Sequence, residues 1–210
     1  MLHEKKTVSR EEWVKSQPVP IAPLKEPAVI APKGDGGRVL NLGLEAGSLK
    51  DWTATGTAFD AMPAKGDAVN RRRKDMTSGH RGEYWVGGYE SHGDAAIGTL
   101  TSVAFTVTQP FASCLVGGGS GVKTRVEIVN AANGYLLFRV TGPDDEKMRP
   151  VWFDLRPFAG AKVFVRLVDE ATTGWGHVNF DDFVFHDSQP LRAEEVPSFR
   201  GSSVVKDELP

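Results

Sequence analysis

The sequence is poor in cysteine, the residue whose disulfide bonds stabilise many small proteins. Its 210 residues contain one cysteine, Cys114, so no disulfide can form within the chain. Cys114 is followed by Leu115 and Val116, and no histidine or lysine lies close to it in the sequence. Because a thiol becomes reactive where a nearby positive group lowers its pKa, this pattern predicts an unreactive thiol in a buried strand.

Long apolar runs are also missing, as is an excess of one charge. No run approaches the roughly 20 apolar residues that span a bilayer, which predicts no membrane insertion. The 25 Lys and Arg residues nearly balance the 27 Asp and Glu residues, so no overall field attracts nucleic acid. Recognition by this chain is therefore expected to depend on a local site.

Neither end of the chain carries a clear targeting signal. Residues Met1 to Lys6 lack the apolar segment of an export signal. Residues Lys206 to Leu209 resemble a signal for retention in the endoplasmic reticulum, but Pro210 follows them and the receptor reads a free terminal leucine. The sequence leaves the localisation unknown, and an extracellular or periplasmic location is expected only if the chain is a fragment of a secreted protein.

The motifs of several enzyme classes are absent. There is no Gly-x-Ser-x-Gly in the strand-to-helix setting that a serine hydrolase needs, and no Cys-x-x-Cys-His for haem attachment. The five histidines lack the paired spacing of a zinc site. A glycosidase with two carboxylic acids stays open, because its acids can lie far apart in the chain. We expect a non-catalytic protein.

The pattern that is present is all-β. The 23 glycines and 13 prolines lie mainly between short runs of Val, Ile, Phe and Leu, and no long helical pattern appears. Short strands of this kind suit a two-sheet β-sandwich of the jelly-roll class with extended tails at both ends. The expected strands are 38–44, 52–59, 84–89, 99–108, 111–117, 122–130, 135–141, 150–155, 162–169 and 177–186.

Proline density divides the chain into three parts. Residues 1–37 are expected to form a charged and proline-rich linker, which includes a short helical stretch at Ser9 to Lys15. The β-sandwich is expected over 38–187, and 188–210 reads as a C-terminal tail. Within the sandwich, the polar stretch 61–83 is longer than most connections, which favours a functional loop. Its basic run, Arg71 to Lys74, is expected to be solvated.

One hairpin is clear from the sequence. Residues 122–129 and 135–141 flank a turn that contains Asn133-Gly134, and this pair adopts positive φ at little cost. Apolar and polar residues alternate in the first strand, so one face should be buried and the other wet. The expected wet face carries Lys123, Arg125 and Glu127.

Several short motifs occur in an order that carries a resemblance. They are Asn41-Leu42-Gly43-Leu44-Glu45-Ala46-Gly47-Ser48-Leu49 with Trp52, then Gly98-Thr99-Leu100-Thr101-Ser102, Leu115-Val116-Gly117-Gly118-Gly119 and Gly174-Trp175-Gly176-His177. This order resembles the galactose-binding-like jelly-roll family of carbohydrate-binding modules. Such modules occur beside glycoside hydrolases that act on fructans and sucrose, and inside large bacterial haem-binding proteins. The resemblance covers about 38–187 and implies a binding module without catalysis.

The resemblance also implies a structural Ca²⁺. Its ligands would include Glu45, near the first strand, with Asp181 or Asp182 in the last strand. Carboxylate and carbonyl oxygens are the ligands that calcium requires. The alternative is that these carboxylates lie on the surface or cap the ends of strands.

A sugar site needs an exposed aromatic ring with polar groups beside it. Trp175 lies between two glycines, and His177 and Asn179 follow it on one face of a strand. The alternative is that Trp175 plugs the end of the sandwich and His177 satisfies a buried loop. Trp85 and Tyr89 could equally belong to the core, and Arg139 could pair with a carboxylate across strands. The candidate carbohydrate-binding residues are Trp175, His177, Asn179, Trp85, Tyr89, Arg139, His80 and Arg81.

Three functions follow, in order of preference. The first is a carbohydrate-binding module within a larger secreted polysaccharide-processing or haem-binding protein. The second is a structural or interaction domain that packs against a partner catalytic domain and binds no sugar itself. The third is a free-standing glycosidase.

Overall fold

The computed structural model describes residues 25–199, which form two β-sheets packed face to face. The first sheet has the order β13-β10-β7-β12-β4-β3, with β1 beside β12. Its strands are β1 (Val29–Ile30), β3 (Ala64–Lys65), β4 (Tyr84–Gly87), β7 (Phe111–Gly118), β10 (Asp145–Asp154), β12 (Val178–His186) and β13 (Glu194–Val196). We call it the seven-stranded sheet.

The second sheet has the order β2-β5-β11-β8-β9, with β6 beside β11. Its strands are β2 (Trp52–Gly56), β5 (Gly98–Ser102), β6 (Phe105–Thr106), β8 (Thr124–Asn130), β9 (Leu136–Val140) and β11 (Lys162–Asp169). Helices within the described residues are short: α1 (Ala68–Arg72), α2 (Tyr89–His92) and the 3₁₀ turns Asp35–Gly37, Gly93–Ala95 and Arg156–Phe158. Across residues 25–199, no helix combines the length and the apolar character needed to cross a membrane.

The core lies between the two sheets and is rich in aromatic rings. Alternate residues of β12 point inward and are fully buried. A bulge after Asp181 shifts the alternation, so that Phe183 and Phe185 continue the inward face. The Phe105 ring meets the edges of Phe183 and Phe185 with ring centres 5.6 and 5.8 Å apart, a preferred geometry for aromatic pairs. Cys114 is buried in the same core, and burial raises the pKa of its thiol well above the ordinary value. The thiol is therefore unreactive, as predicted.

The all-β sandwich is confirmed, but the first predicted strand is wrong. Strand-like residues 38–44 form turns after an isolated bridge between Lys33 and Val39. The Asn41 side chain stabilises the turns through local hydrogen bonds. Its Oδ1 accepts from the Ala46 N–H and its Nδ2 donates to the Ser48 carbonyl, so these backbone groups are not paired with a neighbouring strand. Leucines at alternate positions nevertheless point into the core, and this burial produced the strand-like pattern.

The predicted hairpin is confirmed, whereas its predicted solvent-facing side fails at Glu127. Strands β8 and β9 pair antiparallel, and Gly134 takes a φ of 72° in the turn. Glu127 was expected in solvent but is only 3% exposed. Its carboxylate lies 2.6 Å from both the Arg125 and the Arg166 guanidinium, so two arginines cover and neutralise it.

Residues assigned to the two tails extend the sandwich beyond 38–187. Strand β1 pairs with β12, and β13 pairs in parallel with β10. Val196 of β13 is buried in the core, and the Phe199 N–H then donates to the Leu137 carbonyl of β9. The C-terminal segment thus connects the edges of the two sheets. The predicted helix at Ser9 to Lys15 and the signal-like Lys206 to Leu209 lie outside the described residues.

The long polar stretch 61–83 covers the outer face of the seven-stranded sheet. Asp67 caps helix α1 by accepting from the Asn70 N–H at 3.0 Å, and it also accepts from the Thr77 hydroxyl. A second apolar cluster lies beneath this cover. Because both faces of the sheet are covered, β7 is buried at every position. The cluster consists of Ala68, Val69, Trp85, Leu115 and Met148.

Trp85→Ala tests whether this cover contributes to stability. Trp85 is fully buried, and its Nε1–H donates to the Gly66 carbonyl. We expect the free energy of unfolding, measured with urea, to fall by about 3–5 kcal/mol, the range for large aromatic residues in a core. The exposed aromatic Tyr135, changed to Ala, is the control and should change stability by less than about 0.5 kcal/mol. Equal small effects for both variants would contradict the packing described.

Candidate functional site

A polar cluster lies on the outer face of the seven-stranded sheet where β12 begins. Asn179 of β12 pairs in register with Gly117 of β7, and β10 lies on the other side of β7. Because Gly117 has no side chain, the Asn179 amide reaches across it and donates to the Glu146 carboxylate at 3.0 Å and to the Glu146 carbonyl. A Cβ at Gly117 would lie 3.1 Å from that carbonyl oxygen. The absence of a side chain at Gly117 therefore permits this contact between β12 and β10, which lie on either side of β7.

His177 lies between two carboxylates at the centre of this cluster. Its Nδ1 is 2.6 Å from Asp94 Oδ1, and its Nε2 is 3.5 Å from Glu146 Oε2. The second distance is too long for a good hydrogen bond but close enough for an ion pair. Burial opposes charging of the ring, yet the two carboxylates outweigh burial and raise the pKa of His177. The two carboxylates therefore favour the protonated form of the buried ring.

Arg72 connects the cover to the same cluster. One guanidinium nitrogen donates to Glu90 at 2.9 Å and to Glu146 at 2.8 Å. The guanidinium also lies over the Tyr89 ring, 4.2 Å from its centre. Although burial alone would raise the pKa of Glu146, the interaction with the nearby His177 ring and hydrogen bonds from Arg72 and Asn179 lower it to about 2. Glu146 is therefore ionised at every physiological pH.

Asp169, at the end of β11, is the least satisfied group of the cluster. Neither of its carboxyl oxygens has a hydrogen-bond partner of good geometry among residues 25–199. Burial, with a further contribution from the charge of Asp94, raises the pKa of Asp169 to about 7, although His177 and the Val178 N–H favour the ionised form. His177 Nε2 and Asn179 Oδ1 are also buried without a hydrogen-bond partner in this part of the chain. Buried polar atoms left unpaired cost stability and often mark a functional position.

Two aromatic rings border the cluster on its solvent side. The Tyr89 ring lies edge-on to His177 with centres 5.3 Å apart, and the Trp175 ring lies at 5.7 Å from the same histidine. Both rings are partly exposed. Trp175 has a φ of 60°, in the left-handed region that bulky residues avoid. This backbone costs about 1–3 kcal/mol, and such strain is typical of functional positions.

The structure brings four of the eight predicted sugar-binding residues together. Trp175, His177, Asn179 and Tyr89 all belong to the cluster, but His177 and Asn179 are buried, whereas the two rings are partly exposed. The alternative prediction, that His177 satisfies a buried loop, matches its contacts. His177 and Asn179 therefore support the site from below.

The other four predicted residues lie elsewhere. Trp85 is in the second apolar cluster, with His80 stacked on its ring at 6.1 Å, so the indole does not reach solvent. Arg81 belongs to a separate acidic group described below. Arg139 is on the six-stranded sheet, where its guanidinium lies 5.3 Å from the centre of the Phe199 ring. These residues do not join the site around His177.

Sequence reasoning missed five members of the cluster. Arg72 lies in the basic run that is predicted to be solvated, and no sequence pattern points to the acidic members. They come from helices, turns and strand ends that are distant in the sequence, so no local spacing marks them. The only local signal was the helix-capping aspartate pattern that orders 61–83. The missed residues are Arg72, Glu90, Asp94, Glu146 and Asp169.

The predicted calcium ligands form a second acidic group. Asp181 Oδ2 accepts from the Arg81 N–H at 2.7 Å, and Asp182 accepts from the Arg81 guanidinium at 2.6 Å. Glu45 accepts from the N–H groups of Glu83 and Tyr84. Burial, with the nearby charges of Asp182 and Glu45, raises the pKa of Asp181 to about 8.

This arrangement does not fit a calcium ion as it stands. Each of the three carboxylates is engaged by protein donors, and Arg81 supplies the positive charge beside Asp182. Within residues 25–199, no group of three or more His, Cys, Asp or Glu side chains is arranged to hold a metal ion. Calcium remains a prediction of the resemblance.

The two raised carboxyl pKa values predict a pH dependence of stability. Asp169 and Asp181 have folded-state pKa values of about 7 and 8, above the ordinary 3.8, so their contribution is present at low pH and lost as pH rises through 7–8. The raised pKa of His177 acts in the same direction. The lowered pKa of Glu146 acts oppositely, but only below about pH 4.5.

We therefore expect the melting temperature to fall between pH 5.5 and 8.5, on the order of 5–10 °C for a chain of this size. Asp169→Asn removes one of the two acids, whose oxygens have no hydrogen-bond partner of good geometry among residues 25–199, so it should raise the melting temperature at pH 8.5 and reduce the slope. Asp35→Asn, at an exposed aspartate, is the control. A melting temperature that rises steadily to pH 8.5 would contradict these assignments.

The acidic group around Arg81 gives a test for calcium. Since protein donors already satisfy its carboxylates, we expect the same melting temperature in EDTA and in millimolar CaCl₂. A melting temperature that falls in EDTA and recovers with Ca²⁺ would instead establish the metal that the resemblance implies.

Comparison with known proteins gives one curated relative and several solved structures. No family model matches the chain. The chain is 28% identical over 147 residues to the provisionally named glycosyl hydrolase ecdE of Aspergillus rugulosus. This match covers 70% of the chain but only 20% of the relative, so the chain spans about a fifth of that protein's length.

The solved neighbours include a carbohydrate-binding module and an adhesin domain. The module TmCBM61, solved with β-1,4-galactotriose, has 19% identity and a TM-score of 0.44, over 70% of this chain and 95% of that one. The K1 cleaved adhesin domain of Lys-gingipain from Porphyromonas gingivalis W83 has 14% identity and a TM-score of 0.42, over 70% and 96%.

Proposed function

We propose that this chain is a non-catalytic carbohydrate-binding module whose ligand docks at the rim of the His177 cluster. The observation that carries the proposal is that two partly exposed rings, Tyr89 and Trp175, lie with their centres 5.3 and 5.7 Å from the ring of the buried His177. Aromatic rings bind the C–H faces of sugars, while the polar groups beside them bind hydroxyls. Asp94 and Arg72 are the partly exposed polar groups at this rim.

The buried members of the cluster keep the rim groups in place before a ligand arrives. His177 fixes the Asp94 carboxylate, and Glu146 with Glu90 fixes the Arg72 guanidinium. A site that is ordered in advance loses less conformational entropy on binding. This preorganisation is what a rigid sandwich offers to a weak ligand such as a sugar.

Hydrolysis of a glycosidic bond is the second candidate. Glu146, with a pKa of about 2, and Asp169, with a pKa of about 7, differ as a base and an acid of a glycosidase must. The curated relative is also named as a glycosyl hydrolase. Both acids are buried, however, at 4% and 1% exposure, and neither reaches a ligand at the rim. We therefore place binding first, and we expect no hydrolysis of chromogenic glycosides or fructans.

The third candidate is a domain that packs on a catalytic partner without binding sugar. The chain spans a fifth of its curated relative, which leaves room for such a partner in a longer protein. Sugar binding by the isolated chain separates this function from the first.

Trp175→Ala tests the proposed site. We expect the chain to bind one or more neutral oligosaccharides on a glycan array that includes β-1,4-galactotriose and fructans. Isothermal titration of the best ligand should then show an affinity at least tenfold lower for Trp175→Ala, about 1.4 kcal/mol. Tyr135→Ala is the matched control, because this exposed tyrosine lies at the opposite end of the six-stranded sheet. Unchanged binding by Trp175→Ala would contradict the proposed site. A glycan array on which the chain binds no sugar would contradict the proposed function.

A further inference from the structure

The charges of the His177 cluster are unbalanced toward the negative. Four carboxyl groups, those of Glu90, Asp94, Glu146 and Asp169, surround two basic groups. The inference drawn here rests on the proposed function, since it concerns the class of sugar that this same site accepts.

Both basic groups are already neutralised by the protein. Arg72 donates to two carboxylates through one nitrogen, and its guanidinium face is covered by the Tyr89 ring. His177 lies between Asp94 and Glu146 and is itself buried. A carboxylate or sulfate on a ligand would therefore meet no unpaired cation here, and it would compete with carboxylates already bound.

Buried and unpaired groups show that this is more than an acidic patch. Asp169 is 1% exposed, with both oxygens lacking a hydrogen-bond partner among the described residues, and Asn179 Oδ1 is likewise buried and unpaired. The pKa of Asp169 is raised to about 7 by burial, with the Asp94 charge adding to the effect. Burial thus already disfavours a charged carboxylate at this position, although the His177 charge favours it.

Asp94 is the carboxylate that a ligand meets first. It lies in the turn Gly93–Ala95, directly after the helix that carries Tyr89, and its side chain is 26% exposed. Its Oδ1 is held by His177, which leaves the carboxylate oriented at the rim. An oxygen in this position accepts a hydrogen bond from a sugar hydroxyl but repels a carboxylate.

We propose that the site accepts uncharged sugars and rejects uronic and sulfated sugars, and that Asp94 determines this specificity. The ligand stacks on the partly exposed rings of Tyr89 and Trp175 and donates a hydroxyl hydrogen to Asp94.

The test compares matched sugars that differ only in charge. The probes are β-1,4-galactotriose and the neutral oligosaccharides bound on the array, each beside its counterpart in which the C6 hydroxymethyl groups are oxidised to carboxylates. We expect the full chain to bind the neutral member at least tenfold more tightly. Raising NaCl to 0.5 M should narrow the ratio, because salt screens exposed charges over a few ångströms.

Asp94→Asn keeps the shape of the side chain and removes its charge. We expect this variant to reduce the ratio of the two affinities toward one, mainly by improving binding of the oxidised sugar. Asp35→Asn is the matched control. Asp35 pairs with Lys162 at the start of β11, about 23 Å along the strand from Asp169, so this variant removes a charge far from the site and should leave the ratio unchanged. The melting temperature of each variant checks that the fold is intact.

The outcomes separate this inference from the proposed function. If no sugar of either kind binds, the proposed function fails. If neutral and oxidised sugars bind equally, binding stands but the charge specificity is overturned. A ratio that Asp94→Asn leaves unchanged assigns the discrimination to another group and overturns the role of Asp94.

Discussion

The Glu146 carboxylate is the group on which the arrangement of the candidate site depends. It accepts from Asn179 of β12 and from Arg72 at the end of α1, and it lies 3.5 Å from the His177 ring. These contacts join two strands of the sheet, the covering stretch 61–83 and the segment that leads into β12. Asp94 is attached to the same network through His177. Loss of Glu146 would leave an arginine, a histidine and an amide without their shared acceptor.

A buried network of this kind is costly, and its cost explains its form. Removing one partner of a buried ion pair leaves an unpaired charge, which typically destabilises a protein by about 3–5 kcal/mol. The network therefore behaves as a unit in which each group fixes the orientation of the next. Arg72 and Asp94 reach solvent only at its edge. Their positions are set by groups that no ligand touches, so changes beneath the rim should alter binding through geometry.

The sequence was informative where a pattern is local. Alternation in β12 predicts that His177 and Asn179 share a face, and Val178 and Phe180 do point into the core while Asn179 faces outward. Asn133-Gly134 likewise predicted its turn. The pattern misled at Glu127, because two arginines turned an outward-facing carboxylate into a buried one.

Long-range contacts are the part that the sequence could not supply. Asp94 and His177 are 83 positions apart, and Arg72 and Glu146 are 74 apart. Their meeting depends on which strands are neighbours in the sheet and on the path of 61–83 across its outer face. A single sequence carries no spacing rule for either, so the basic run at Arg71 to Lys74 looked solvated although one of its members is central.

The packing between the sheets also determines where a ligand can bind. The inner face of β12 carries phenylalanines that pack edge-on against other aromatic rings, so side chains and not a ligand fill the space between the sheets. The outer face of the same strand carries Asn179 and ends in the loop of Trp175. Because side chains alternate along the strand, the residues that stabilise the sandwich and those that support the site are different residues. Substitutions in the rim segments around Asp94 and Trp175 can therefore change the ligand without disturbing the core that holds β12 in place.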